Sequence, residues 1–288
     1  MSFSSDVKQE LAGRIAGARH CQLAELAAIL HFCGEFGRDA DGRYTIGLQT
    51  ENEWIVRKCF TLLKKTFNID TDNFVGEDQM QEIFQKIGNP GEPVSTLLLK
   101  NACCQRAFLR GAFLSVGSIS DPSKAYHLEF VCPTLEKAEQ LRDVIRDFDV
   151  EAKIVPRKKY EVVYLKEGAG IVDLLNVMEA HVSLMNLENL RILKEMRNSI
   201  NRRVNCEAAN INKTVSAATR QIMDIEFLRD HYGLSRLPAQ LQEMAQVRLE
   251  NPDCPLKDLG ALLDPPVGKS GVNHRLRKLS ELAESVRN

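Results

Sequence analysis

No stretch of this 288-residue chain approaches the ~20 consecutive apolar residues that a membrane helix needs, so no spanning segment is expected. An excess of one charge is also missing: 38 Lys+Arg stand against 39 Asp+Glu, a formal net charge of −1. That balance argues against a polybasic protein that coats nucleic acid by bulk charge, but says nothing about a local basic site. The opening residues carry Asp6 and Glu10 and mix polar with apolar positions, which does not fit an export signal. The eight cysteines (21, 33, 59, 103, 104, 132, 206 and 254) include no Cys-x-x-Cys pair, and no His stands at finger spacing. Structural zinc is therefore not expected, nor is any other metal or cofactor. Reduced thiols in a cytosolic protein are the simpler reading. What is present, 44% hydrophobic and 27% charged residues, is ordinary globular composition. The length suggests two domains and is ample for a buried core.

An internal repeat emerges at an offset of 83. Cys21-Gln-Leu-Ala-Glu-Leu26 falls on Cys104-Gln-Arg-Ala-Phe-Leu109, and Gly34 falls on Gly117. Each copy runs from an apolar helix through a Gly into polar turn residues (Arg38–Gly42; Ser120–Ser123). A short alternating strand follows (Tyr44–Thr50; Tyr126–Cys132), then an amphipathic helix (Glu53–Phe67; Thr134–Phe148). A hairpin, Lys153–Pro156 with Tyr160–Lys166, and a helix around Ile171–Met178 complete the second copy. Residues 70–99 of the first copy are harder to read, because Asn89-Pro-Gly-Glu-Pro93 interrupts them. The copies lie near 20–100 and 103–180, in an α+β domain expected over 1–182.

A helical linker is expected over 183–235. One helix begins near Met185, with Leu187, Leu190, Leu193 and Met196 on a common face. A second spans Asn210 to about Asp230, with Ile211, Val215, Ala218, Ile222 and Ile225 spaced four and three apart. Beyond Tyr232-Gly-Leu-Ser-Arg-Leu-Pro238, a small all-α domain is expected over 236–288.

The last two helices of that domain, Leu256–Leu263 and Ser270 to about Val286, read as a helix-turn-helix. With Ser270 as N-cap, Val272, Leu276 and Leu279 share one face and can pack on Leu256, Leu259 and Leu263. Ser270, Asn273, His274, Arg277 and Lys278 fall on the opposite arc, and Arg275 sits at the edge of the packed face. Arg suits guanine and Asn suits adenine in the major groove, while Lys and Ser suit phosphates. Positions 269–279 carry four basic residues and no acid. The DNA-contacting set expected here is Lys269, Ser270, Asn273, His274, Arg275, Arg277 and Lys278, with Lys257 as a further candidate. The alternative is a solvated basic face, the usual fate of a charge run. Gly268-Lys269-Ser270 is not a phosphate loop, because Leu263 stands where the first Gly would be required.

The repeated helices, Leu26-Ala-Ala-Ile-Leu-His-Phe-Cys-Gly34 and Leu109-Arg-Gly-Ala-Phe-Leu-Ser-Val-Gly117, resemble the signature helices of LAGLIDADG homing endonucleases. The resemblance implies a pseudo-twofold pair of helices packed through small residues, here Ala27, Ala28, Gly111 and Ala112. It also implies a metal-binding acid just before each final Gly. Cys33 and Val116 stand at those positions. Neither supplies the hard oxygen that Mg²⁺ requires, so two-metal cleavage lacks its ligands. Glu35 and Asp121 would serve only in a displaced site.

Nearly the whole chain resembles the WhiA family of bacterial regulators. The matching residues are Ser2-Phe-Ser-Ser-Asp6 with Lys8 and Glu10, Ala209-Asn-Ile-Asn-Lys-Thr-Val215, and Leu262-Leu-Asp-Pro-Pro-Val-Gly-Lys-Ser-Gly-Val-Asn-His-Arg-Leu-Arg-Lys-Leu279. The resemblance implies a degenerate homing-endonuclease-like domain joined to a helix-turn-helix domain similar to region four of sigma factors. It further implies a non-enzymatic regulator of cell division, chromosome segregation or sporulation. The partner expected is double-stranded DNA, in a cytoplasmic, nucleoid-associated protein, with another regulatory protein possible at the N-terminal domain. The competing readings are a LAGLIDADG-type endonuclease with a displaced metal site, or an interaction platform tethered to DNA.

Overall fold

The computed structural model describes residues 2–40, 42–69 and 74–287. The chain is α+β and divides into two compact units, Met1–Lys194 and Glu195–Asn288.

The first unit opens with α1 (Phe3–Gly13), whose N-cap Ser2 accepts a hydrogen bond from the Ser5 N–H at 3.2 Å. Its buried Val7 and Leu11 are four apart, a helical pair that the mixed polarity of the segment conceals. The first signature helix, α2 (Arg19–Cys33), runs directly through Gly34 into β1 (Gly34–Arg38), which pairs antiparallel with β2 (Tyr44–Leu48). Arg38, the first residue of the expected polar turn, is thus the end of a strand that begins at the Gly. Next come α3 (Glu53–Phe67), the two-residue β3 (Phe74–Val75) and α4 (Glu77–Ile87). The last of these lies in the segment that resisted sequence reading. Met80, Ile83 and Ile87 are its buried face.

The second copy repeats the plan more fully. It comprises α5 (Ala102–Val116), β4 (Gly117–Ile119), β5 (Leu128–Cys132), α6 (Leu135–Arg146), β6 (Lys153–Arg157), β7 (Tyr160–Leu165) and α7 (Gly168–Val177). Its sheet has the order β4-β5-β7-β6, all antiparallel, against β1-β2-β3 in the first copy. Alternation sets the register. Leu128, Phe130 and Cys132 of β5 are buried while Glu129 and Val131 between them are not.

Helices α2 and α5 cross as a pair in the core, where Ala24, Ala27, Ala28, Ala107 and Ala112 are wholly buried. Gly111 marks the closest approach: a Cβ there would lie 2.5 Å from the Glu25 carbonyl oxygen and 2.7 Å from the Ala28 Cβ. A ladder of charges runs beside this crossing, buried at Glu25, Lys58 and Arg110 and reaching the surface at Arg14. Lys58 Nζ is 2.6 Å from Glu25 Oε1, with side chains 1% and 0% exposed. Arg110 Nε is 3.4 Å from the same oxygen, and its Nη1 reaches Glu179 at 2.7 Å. Arg14 closes the ladder on Glu179 at 2.6 Å.

The two linker helices expected from sequence are one helix, α8 (His181–His231). The physical reason is simple: no Gly or Pro occurs between 181 and 231 to stop it. Its expected inner face also differs. Leu187 is buried and Leu190 is half-buried, but Leu193, Met196, Ile211 and Val215 are exposed. Near its end Ile225 and Leu228 enter the core of the second unit. Gly233, at φ 89°, lets the chain turn away, its N–H donating back to the Leu228 carbonyl at 2.9 Å.

Three helices complete that unit: α9 (Ala239–Glu250), α10 (Leu256–Ala261) and α11 (Lys269–Arg287). Among the described residues no helix is long and apolar enough to cross a membrane.

Candidate nucleic-acid interface and the vacated metal position

The α10–α11 pair is held by the apolar residues that their spacing selects. Val272, Leu276 and Leu279 are buried against Leu259 and Leu263, with Leu256 partly buried beside them. The approach is closest at Gly260, where a Cβ would lie 2.1 Å from the Val267 carbonyl oxygen. In return the Val267 N–H donates to the Gly260 carbonyl at 3.0 Å, tying the turn to α10.

The final helix starts one residue earlier than expected. The Gly268 carbonyl accepts from the Val272 N–H at 3.1 Å, so Lys269 and Ser270 both lie in the first turn and Ser270 is not the cap. On α11, Lys269, Ser270, Asn273, His274, Arg277 and Lys278 are exposed, and Lys257 is exposed on α10. They present a face without an acid from 269 to 280. Arg277 is 76% exposed, and its Nε lies 2.8 Å from Glu281 Oε1. An exposed pair at i,i+4 is worth about 0.3–0.5 kcal/mol, small enough to be exchanged for a base or a phosphate.

Arg275 is placed differently from the rest of the set. Its side chain is 14% exposed and its Nη1 lies 3.6 Å from Glu243 of α9. The same Glu243 accepts from the Asp264 N–H at 2.7 Å. Arg275 therefore braces α11 and the preceding turn against α9, because its position on the helix wheel borders the packed face. One basic residue escapes a reading of the sequence. Lys213 of α8 lines a cavity of about 350 Å³ together with Lys257, Lys269 and the buried Arg248. Its signal lies in Asn210-Ile-Asn-Lys-Thr214, but no local pattern links that segment to α10 and α11.

In the first unit, Cys33 and Val116 occupy the last turns of α2 and α5. Cys33 is buried, its Sγ donates to the Ile29 carbonyl at 3.3 Å, and burial pushes its thiol up. Lys8 lies in its electrostatic neighbourhood, a cation where a metal-binding site would place acids. Glu35 Oε1 is engaged by the Gln49 side chain at 2.9 Å, and Asp121 accepts from the Ser123 N–H at 2.9 Å. These two acids are thus absorbed in local hydrogen bonds. Among the described residues, they do not gather with a third metal-ligating side chain.

Spacing along the sequence misses a different cluster. His20, Cys21, Cys103 and Cys104 bring their ligating atoms within 4.8 Å of one another. Finger spacing is therefore no guide at this place, because each half of the repeat contributes one adjacent pair. The offset of 83 is the usable signal: it sets His20 on Cys103 and Cys21 on Cys104. Burial, with the crowding of Cys103 and Cys104, pushes the Cys21 thiol up to about 12.

Comparison with known proteins assigns each part of this architecture. Residues 19–81 match the WhiA N-terminal LAGLIDADG-like domain, 105–197 the WhiA LAGLIDADG-like domain, and 200–283 the WhiA C-terminal HTH domain. The chain is 52% identical over 312 residues to the probable cell division protein WhiA of Lachnoclostridium phytofermentans, covering 100% of both chains. It is 47% identical over 313 residues to the protein of the same name in Alkaliphilus oremlandii, covering 99% of this chain and 98% of that one. The crystal structure of full-length DUF199/WhiA from Thermatoga maritima superposes with a TM-score of 0.60 at 25% identity, covering 99% of each chain. The three domain matches and the full-length relatives agree, and this chain belongs to the WhiA family.

Proposed function

We propose that this protein is a non-enzymatic, sequence-specific DNA-binding regulator acting in cell division, chromosome segregation or sporulation. The observation that carries the reading is the exposed, acid-free basic face of α11, backed by a packed α10. In this reading Arg277 and Asn273 read base edges, while Lys269, Ser270, Lys278 and Lys257 hold phosphates, and His274 lies between the two sets. Lys213 extends the phosphate-holding surface, and Arg275 positions the helix from behind. The relatives named for cell division support the cellular setting, and binding to the nucleoid would follow from the basic face of α11. The domain limits that suit this reading are 1–182, 183–235 and 236–288, with α8 as the linker.

Arg277→Ala is expected to cost about 1–3 kcal/mol on a cognate duplex and to relax selectivity at one base pair. Titrations against cognate duplexes varied one base pair at a time measure both effects. Equal affinity of the wild type for cognate and scrambled DNA would remove base reading from Arg277.

The first unit in this reading retains a nuclease scaffold without its chemistry. Supercoiled plasmid incubated with the protein and Mg²⁺ or Mn²⁺ should remain uncut, because Cys33 and Val116 supply no carboxylate. Protein-dependent nicking that persists after removal of trace nucleases would reinstate an endonuclease.

A further inference from the structure

Nothing in the DNA-binding reading uses the cluster at the other end of the signature helices. His20 and Cys21 lie in the first turn of α2, and Cys103 and Cys104 lie in the first turn of α5. The His20 Nδ1 is 3.1 Å from Cys104 Sγ, 3.3 Å from Cys21 Sγ and 4.0 Å from Cys103 Sγ. Each of the four side chains brings one ligating atom to the same small volume.

We propose that His20, Cys21, Cys103 and Cys104 together bind one zinc ion as a structural site that ties the two halves of the repeat.

The size of the cluster suits a single zinc ion. Zinc–sulfur bonds of about 2.3 Å and zinc–nitrogen bonds of about 2.0–2.1 Å in a tetrahedron set neighbouring ligand atoms roughly 3.5–3.8 Å apart. The nitrogen–sulfur separations of 3.1, 3.3 and 4.0 Å, with every pair of ligating atoms within 4.8 Å, lie around that spacing. Side-chain shifts below about an ångström would complete the tetrahedron. The same closeness leaves room for a single ion and none for a sulfide-bridged iron cluster.

Ligand chemistry points the same way. Three sulfurs and one imidazole are a soft to borderline set, which selects zinc over magnesium or calcium. All four positions come from protein, the closed arrangement of a structural site. Cys21 and Cys104 are 6% and 2% exposed, while His20 and Cys103 face solvent. The inner pair is thus fixed by packing, and the outer pair leaves a path by which the ion enters.

The charge balance is also favourable. On binding, the three thiols release three protons to solvent and the neutral imidazole donates its Nδ1 lone pair, with no change of oxidation state. Three thiolates and Zn²⁺ leave a net charge of −1. Arg14, Arg106 and Arg110 line a cavity of about 520 Å³ together with Cys21, Cys103 and Glu179, so three cations against one acid leave positive potential beside that charge. The N-terminal ends of α2 and α5 add to it, since helix starts favour anions.

The repeat itself supplies the symmetry. It maps the outer ligand of one half onto the outer ligand of the other, and the inner onto the inner. An ion at this point lies between equivalent first turns, at the opposite ends of α2 and α5 from Cys33 and Val116. It would clamp the helix pair far from the positions where the homing-endonuclease acids would stand.

The test uses the full chain, reduced under anaerobic conditions, stripped of metal and then given zinc alone. About one equivalent should be retained after desalting, as counted by mass spectrometry of the metal. Cobalt in its place should give the visible bands of tetrahedral coordination and a thiolate charge-transfer band. Cys103→Ser and His20→Ala change exposed side chains, and each should lower zinc affinity against a competing chelator by about a hundredfold or more, beyond the ~10–100-fold that outer-shell changes cost. Cys206→Ser should bind as the parent does. Zinc should raise the melting temperature of the parent and not that of Cys103→Ser. The site is refuted if the reduced chain retains no zinc, if Cys103→Ser and His20→Ala bind it unchanged, or if the anaerobically isolated protein carries a disulfide among Cys21, Cys103 and Cys104.

Discussion

Replacing Lys269, Arg277 and Lys278 together with alanine is expected to weaken binding to a cognate duplex by about a hundredfold or more, with the fold of the second unit unchanged. All three side chains are exposed on α11, while the packing is done by Val272, Leu276, Leu279 and Ala283 on its other side. Alanine also favours helix, so the substitutions should not loosen it. The salt dependence carries a separate signature. Each phosphate left without its cation should reduce the slope of log K against log salt by about 0.9, so removing Lys269 and Lys278 should flatten it by roughly 2. Affinity and slope that match the wild type would move the DNA-binding surface away from α11. The first unit is a poor alternative, since residues 1–194 hold 24 basic against 27 acidic side chains.

The second large effect belongs to the first unit. Lys58→Met should destabilise it by about 3–5 kcal/mol, the usual cost of stranding one member of a buried ion pair. Lys58 Nζ also donates to the Leu11 and Arg14 carbonyl oxygens, each at 2.6 Å, so its removal costs both acceptors a hydrogen bond, the Leu11 carbonyl keeping only the Arg14 N–H at 3.2 Å. Burial draws the ammonium pKa down, and Glu25 at 2.6 Å is the chief influence opposing that. Glu25 would be left with Arg110 Nε at 3.4 Å, while its Oε2 already has no hydrogen-bond partner among the described residues. A double replacement, Lys58→Met with Glu25→Leu, removes both charges and should recover much of the stability, because apolar pairs of similar volume often match buried ion pairs. Denaturant unfolding of the parent, both single variants and the double variant closes the cycle. Strictly additive effects would mean that the two residues do not act as a pair.

Much of this fold is legible locally. The helix Glu53–Phe67 has the same bounds in sequence and structure, and the Lys153–Leu165 hairpin agrees to within a residue. Their apolar periods are strong and their ends carry turn or cap residues, such as Asn52, whose side chain accepts from the Trp54 N–H. The strands that begin at Gly34 and Gly117 are hidden because each follows its helix without a turn. The helix at Glu77–Ile87 is hidden because proline and glycine beyond it make the region read as loop. The candidate DNA-contacting residues expected from sequence all lie on α11 except Lys257, so a wheel projection is enough to group them. It cannot show the ion pair that turns Arg275 toward Glu243, since Glu243 stands 32 positions away.

The sequence alone determined the near-neutral charge sum, the lack of any long apolar run, the duplicated α+β plan, the absence of an acid at Cys33 and Val116 before Gly34 and Gly117, and the basic arc at 269–279. Those are properties of composition and of neighbours three or four residues apart, where helix geometry is fixed. Only the tertiary structure decided that α8 is one helix with much of its apolar face exposed, that Lys213 joins Lys257 and Lys269, and that Glu25 is held between Lys58 and Arg110. It also turned a cysteine pattern without metal spacing into a four-ligand cluster, because the α2–α5 crossing brings together two adjacent pairs 83 residues apart. Spacing along a chain measures proximity only within one element. Across two helices, the small residues at their crossing set it.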